Sequence, residues 1–143
     1  MESILYNSNY GSNSRKIYEK FCETLNWDKS KSYKFGFRRP LFAHNADTER
    51  TRDVWFISHS NLNENIALAG NRHINRIQDE FIYEFYIDSE KDKYPLNDRI
   101  VFAKNKLGYY IFLGIYRSVN PYSKDPNRTF IRIDKNYLIT QEK

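Results

Sequence analysis

Between Lys29 and Pro40 the chain reads Lys-Ser-Lys-Ser-Tyr-Lys-Phe-Gly-Phe-Arg-Arg-Pro, with five basic residues, three aromatics and no acid. Cations at this density neutralise phosphates, and Tyr33, Phe35 and Phe37 offer flat faces on which unpaired bases stack. The same residues have a second reading. Phe35 and Phe37 alternate as on a half-buried strand, whose lysines would then form its solvated face. Both readings stay open at this point.

Residues able to do catalytic chemistry are sparse. The chain has no Gly-rich phosphate loop ending in Lys-Ser/Thr, no dinucleotide fingerprint, no serine elbow between glycines and no His-Glu-x-x-His. A restriction-type nuclease usually sets an acid two residues before a catalytic lysine, so that the carboxylate holds a metal while the amine assists the attacking water. No Asp or Glu in this chain has Lys at that offset. His44, His59 and His73 lack ligand-like spacing, and a loop metal site from His44, Asp47 and Glu49 is a minor alternative. Cys22, on the apolar side of a helical stripe, reads as a small core residue rather than a nucleophile. The expectation is a binding module without catalytic residues, metal or cofactor.

With 23 Lys and Arg against 18 Asp and Glu, the net charge of +5 favours phosphate partners and excludes a DNA mimic, which needs a dense acidic surface. A single cysteine allows no internal disulfide and no four-thiolate metal site. The N-terminus shows no basic region followed by an apolar one, and no run approaches membrane-spanning length. A cytoplasmic protein is expected. The 143 residues suit a single domain over 1–143, and 40% hydrophobic residues are enough for a core.

The elements that would position these residues can be read from periodicity. Ile17, Phe21 and Leu25 form one stripe and predict a helix from about Ser14 to Leu25, capped by Ser12 or Ser14 and ended at Asn26. Residues 41–52 read as loop. Val54–Ile57 reads as a short strand, followed by polar Ser58–Asn61 and a short helix around Asn63–Ala69. Phe81–Ile87, Arg99–Lys104, Tyr109–Arg117, Thr129–Ile133 and Tyr137–Ile139 read as strands of an antiparallel meander, with Gly114 marking a bulge or bend. The fold class is therefore α+β: a curled antiparallel sheet or small barrel, with an N-terminal helix and one short helix.

Two stretches carry a family resemblance. Val54-Trp55-Phe56-Ile57-Ser58-His59-Ser60-Asn61, followed by Asn63-Glu64-Asn65-Ile66, resembles the opening strand, polar turn and short helix of PUA-like domains, the superfamily of YTH, EVE and ASCH modules. Asn97–Lys104 and Tyr110–Tyr116 resemble the paired strands of such domains, so the resemblance spans residues 54–117. It implies binding of RNA or DNA on a small barrel, often with a modified base in an aromatic pocket. YTH-type cages depend on tryptophans after the helix, whereas this chain has only Trp27 and Trp55. Phe81, Tyr83, Phe85 and Tyr86 are the aromatics left to replace them.

The expected function is thus non-catalytic nucleic-acid binding that reads a flipped or modified base. Arg38, Arg39, Arg72 and Lys104 would hold phosphates, Trp55 or Tyr83 would stack, and His59 with Asn61 would read polar edges. Two alternatives stand beside it. One is a protein-binding accessory or inhibitor of a phage or mobile element, using Tyr and Arg as an interface hot spot. The other is a nuclease with an atypical metal site.

Overall fold

A computed structural model describes residues 3–25, 33–34, 37–38, 52–63, 73–86, 98–120 and 127–138. Helix α1 (Ser14–Leu25) follows a short strand β1 (Ser3–Ile4), as the apolar stripe requires. Its cap is neither serine. Asn13 accepts the Lys16 N–H on its side chain at 3.1 Å and the Ile17 N–H on its carbonyl at 3.2 Å. An Asn at this position satisfies one of the helix's orphan donors as well as a serine would.

The remaining strands are β2 (Tyr33–Lys34), β3 (Phe37–Arg38), β4 (Arg52–Ile57), β5 (His73–Gln78), β6 (Phe81–Tyr86), β7 (Asp98–Lys104), β8 (Tyr110–Ser118), β9 (Arg128–Asp134) and β10 (Tyr137–Leu138). Eight of them form one sheet in the order β2-β3-β4-β7-β8-β9-β6-β5, and β1 pairs separately with β10. The fold is α+β around a curled sheet. The sheet is not wholly antiparallel, because β4 and β7 run parallel from Arg52↔Asp98 to Ile57↔Ala103. Parallel neighbours need a long crossover, which residues 58–97 supply by way of β5 and β6. The chain from Asn61 to Asn63 makes a 3-10 turn, and the rest of the expected short helix, up to Ala69, lies outside the described residues.

Both faces of the central strands are covered, which explains their continuous apolar runs. On the outer face Val54, Phe56, Ile100, Phe102 and Phe112 pack beneath Ile4, Ile17, Tyr18 and Tyr137. Inside the curl Trp55, Ile57, Val101, Ala103, Leu113 and Tyr116 meet Ile82 and Phe130. Gly114, at φ +121°, makes the expected bulge: the β7–β8 register shifts between Val101↔Gly114 and Phe102↔Phe112. One extra residue inverts the alternation, so Phe112 and Ile115 both face outward while Leu113 and Tyr116 both face inward.

Among the described residues, the open edge of the curl is bridged by an isolated β-bridge and side-chain hydrogen bonds. Ser60 and Asn75 form one parallel bridge, and the Asn75 N–H donates to the His59 carbonyl at 2.9 Å. The Asn61 side chain then imitates a strand residue, accepting from the Ile77 N–H at 2.7 Å and donating to the Ile77 carbonyl at 2.9 Å. Among the described residues no helix is long and apolar enough to cross a membrane.

Candidate nucleic-acid interface

The inner face of the curl holds charge where the apolar pattern predicts none. Inward positions on β6 are set by Ile82, so Glu84, two residues on, points into the curl as well. Its register partners are Asn75 on β5 and Arg128 on β9, which sets three polar residues side by side across adjacent strands. On β7 the same parity puts Arg99 on the side of Val101. Glu84 and Arg99 are 2% and 1% exposed, and Asn75 is 3% exposed.

Arg99 is held by aromatics and by charge together. Its guanidinium carbon stands 4.5 Å from the Trp55 ring centroid and 4.4 Å from that of Phe130. The two rings, 5.3 Å apart at 57°, form a V with the cation at its mouth. A Glu84 carboxylate oxygen lies 3.6 Å from an Arg99 Nη atom, an ion pair without a tight hydrogen bond. A delocalised guanidinium suits such a place, since it stacks on rings and sheds water more readily than an ammonium. The neighbouring Asn75 Oδ1 is buried without a hydrogen-bond partner among the described residues. Buried polar atoms of this kind are costly unless something satisfies them, which marks the cluster as more than packing.

The residues expected from the sequence are spread over the molecule. Trp55 belongs to the cluster, but it is 4% exposed and its face is covered by Arg99, so in this state it is not an open stacking platform. His59 and Asn61 lie at the seam, where the His59 backbone and the Asn61 side chain hold β5. Tyr83 projects from β6 on the face opposite Glu84, stacked on Phe81 at 5.9 Å. The Lys104 ammonium lies 5.3 Å from the Tyr110 ring centroid, on the outer face. Arg38 pairs in register with Val54 within β3. Arg39 and Arg72 lie outside the described residues, as do His44, Asp47 and Glu49.

Glu84 and Arg99 went unnoticed in the sequence, although a signal was there. Glu84 is the one charge in a strand otherwise apolar and aromatic, and Arg99 stands one residue into β7, directly before its apolar run, each at a position whose parity points inward. Among the described residues no three His, Cys, Asp or Glu side chains gather as metal ligands.

No protein-family model matches the chain, and no curated protein sequence does. Among solved structures, the 5-hydroxymethylcytosine-specific restriction enzyme AbaSI superimposes with a TM-score of 0.60 over 99% of this chain, at 19% sequence identity. The chain spans 44% of that enzyme's length. What the two share is the fold: an α+β architecture around a curled sheet, over the whole of the chain rather than residues 54–117 alone.

Proposed function

We propose that the chain binds nucleic acid, and that it reads a modified cytosine turned out of a DNA duplex against the Glu84–Arg99 cluster, without cleaving the strand. The observation that carries this reading is a coincidence of two features. The fold is shared over 99% of the chain with an enzyme specific for a hydroxymethylated base, and the inner face of that fold holds a buried acid, arginine and tryptophan together.

The chemistry of the cluster suits a cytosine edge. Cytosine offers a donor at its exocyclic amine and acceptors at N3 and O2. The Glu84 carboxylate takes the first, and the Arg99 guanidinium serves the second. Thymine would set a carbonyl against the carboxylate and be rejected, because a buried mismatch of acceptors leaves both unsatisfied. Trp55 and Phe130 flank the guanidinium that would serve N3 and O2. These side chains close over one another, so binding of a base is coupled to their rearrangement.

Fluorescence-anisotropy titration tests the reading with duplexes that are identical except for one cytosine, 5-methylcytosine or 5-hydroxymethylcytosine. A preference of about tenfold or more for one modified form, abolished in Glu84→Gln while circular dichroism shows the fold retained, is expected. Equal affinity for all three duplexes would overturn it.

A further inference from the structure

The inner face of the curl also holds an acceptor that takes no part in the ion pair of Glu84 and Arg99. Asn75 lies on β5 at the same parity as Ile77, which packs on the inner cluster, so its side chain points into the curl. It is 3% exposed, and its Oδ1 has no hydrogen-bond partner among the described residues. An amide oxygen buried in this way destabilises the fold until a donor reaches it.

The seam decides which end of the amide is offered. The Asn75 N–H donates to the His59 carbonyl at 2.9 Å, and Nδ2 of the same residue donates weakly to that carbonyl at 3.5 Å. Turning the amide over would set Oδ1 against an acceptor, so Nδ2 stays at the seam and Oδ1 is the end left for a ligand. Because the backbone N–H is directed to His59, it points away from β6. Asn75 and Glu84 are therefore a register pair without mutual backbone hydrogen bonds, the kind whose side chains stand closest, with Cβ atoms about 4.5–5.5 Å apart.

From these features we infer that Asn75 is a specificity-determining residue of the base site: its Oδ1 accepts a hydrogen bond from a hydroxyl carried on C5 of the cytosine, and so selects a hydroxymethylated base over a methylated one. The inference rests on the reading of a cytosine against Glu84 and Arg99, and it names the substituent that reading leaves open. On the cytosine ring the C5 substituent is next to the exocyclic amine, as Asn75 is next across the sheet to Glu84, the acceptor for that amine. A hydroxymethyl group brings a donor to Oδ1. A methyl group brings none and leaves the oxygen buried and unsatisfied, and a formyl group sets a second acceptor against it.

The test is fluorescence-anisotropy titration of the unaltered protein and of Asn75→Leu with duplexes that differ at one cytosine, which is unmodified, methylated, hydroxymethylated or formylated at C5. The unaltered protein should bind the hydroxymethylated duplex about tenfold or more tighter than the methylated and formylated ones. In Asn75→Leu the hydroxymethylated duplex should fall to the level of the methylated one, while the ratio of methylated to unmodified stays as it was. A merely structural role at the seam would weaken all four duplexes alike and keep their ratios, which would overturn the inference. The comparison of duplexes on the unaltered protein decides even where Asn75→Leu fails to fold: equal binding of hydroxymethyl and methyl, or of hydroxymethyl and formyl, overturns the role of Oδ1. In those outcomes a preference over unmodified cytosine leaves the base reading standing. Equal affinity for all four duplexes is the distinct result in which the base reading fails and the inference falls with it.

Discussion

Glu84 and Arg99 face one another at 3.6 Å inside the curl, with 2% and 1% of their side chains exposed, on strands that are not neighbours in the sheet. Taking two charges out of water costs more than their attraction returns unless the site is otherwise useful or well supported. Here the aromatic V of Trp55 and Phe130 lies against the cation. Removing the acid alone leaves Arg99 charged and buried. Glu84→Ala should therefore lose about 3–5 kcal/mol, measured by urea denaturation. Replacing both, as Glu84→Leu with Arg99→Met, should cost much less than the sum of the single changes. Additive losses would mean that the pair does not interact.

The bulge at Gly114 fixes which side chains of β8 face the site. A Cβ there would collide with the backbone carbonyl of Asp134 and press on the Arg132 side chain, at a φ of +121° that side chains rarely tolerate. Gly114→Ala should destabilise the protein by about 3 kcal/mol or more in thermal or urea unfolding, through strain and a shift of β9. A loss below about 1 kcal/mol would show that β9 yields easily and that the bulge is soft.

Much of this frame is legible in the sequence because local periodicity determines it. The helix Ser14–Leu25 and strands β6 to β9 follow from apolar spacing, and Gly114 signals its bulge. Strand β5 is not legible, for a physical reason. In His-Ile-Asn-Arg-Ile-Gln the two isoleucines fall on opposite faces, and the inward position between them is the buried Asn75, so no period of two survives. The parallel β4–β7 pair depends on contacts more than forty residues apart in sequence, which no local pattern records. The cluster itself was hidden by a good general rule, that charges lie in solvent. Glu84 and Arg99 are exceptions to it, and exceptions of that kind gather at functional sites.

Asn61 separates a structural role from a reading one. Its side chain exchanges two hydrogen bonds with the backbone of Ile77, at 2.7 and 2.9 Å, across the seam that holds β5 against the β4 side of the curl. Both its donor and its acceptor are thus engaged within the protein. Asn61→Ala should lose about 1–2 kcal/mol of stability and leave base preference unchanged at temperatures where the fold persists. A variant of full stability that has lost base preference would reverse this assignment and return Asn61 to the role of reader.

Tyr116 gives the alkaline limit of the fold. It is fully buried on the inner face, and its hydroxyl accepts from an Arg132 Nη atom at 3.0 Å. Burial raises its pKa above the ordinary tyrosine value, with the nearby Arg132 pulling the other way through its charge and hydrogen bond, and Tyr6 adding a smaller upward push. A pKa raised by folding means that the native state keeps a proton the unfolded chain releases. Stability from this group is complete below about pH 10 and is lost as pH climbs through the raised native value. Unfolding measured between about pH 8 and pH 11 should show a decline in the unaltered protein that is shallower in Tyr116→Phe, since phenylalanine has no proton to lose. Tyr116→Phe also strands one donor of Arg132, so its stability at neutral pH should be lower by about 1 kcal/mol. Equal alkaline slopes in the two proteins would place the titration elsewhere and leave Tyr116 as a packing residue alone.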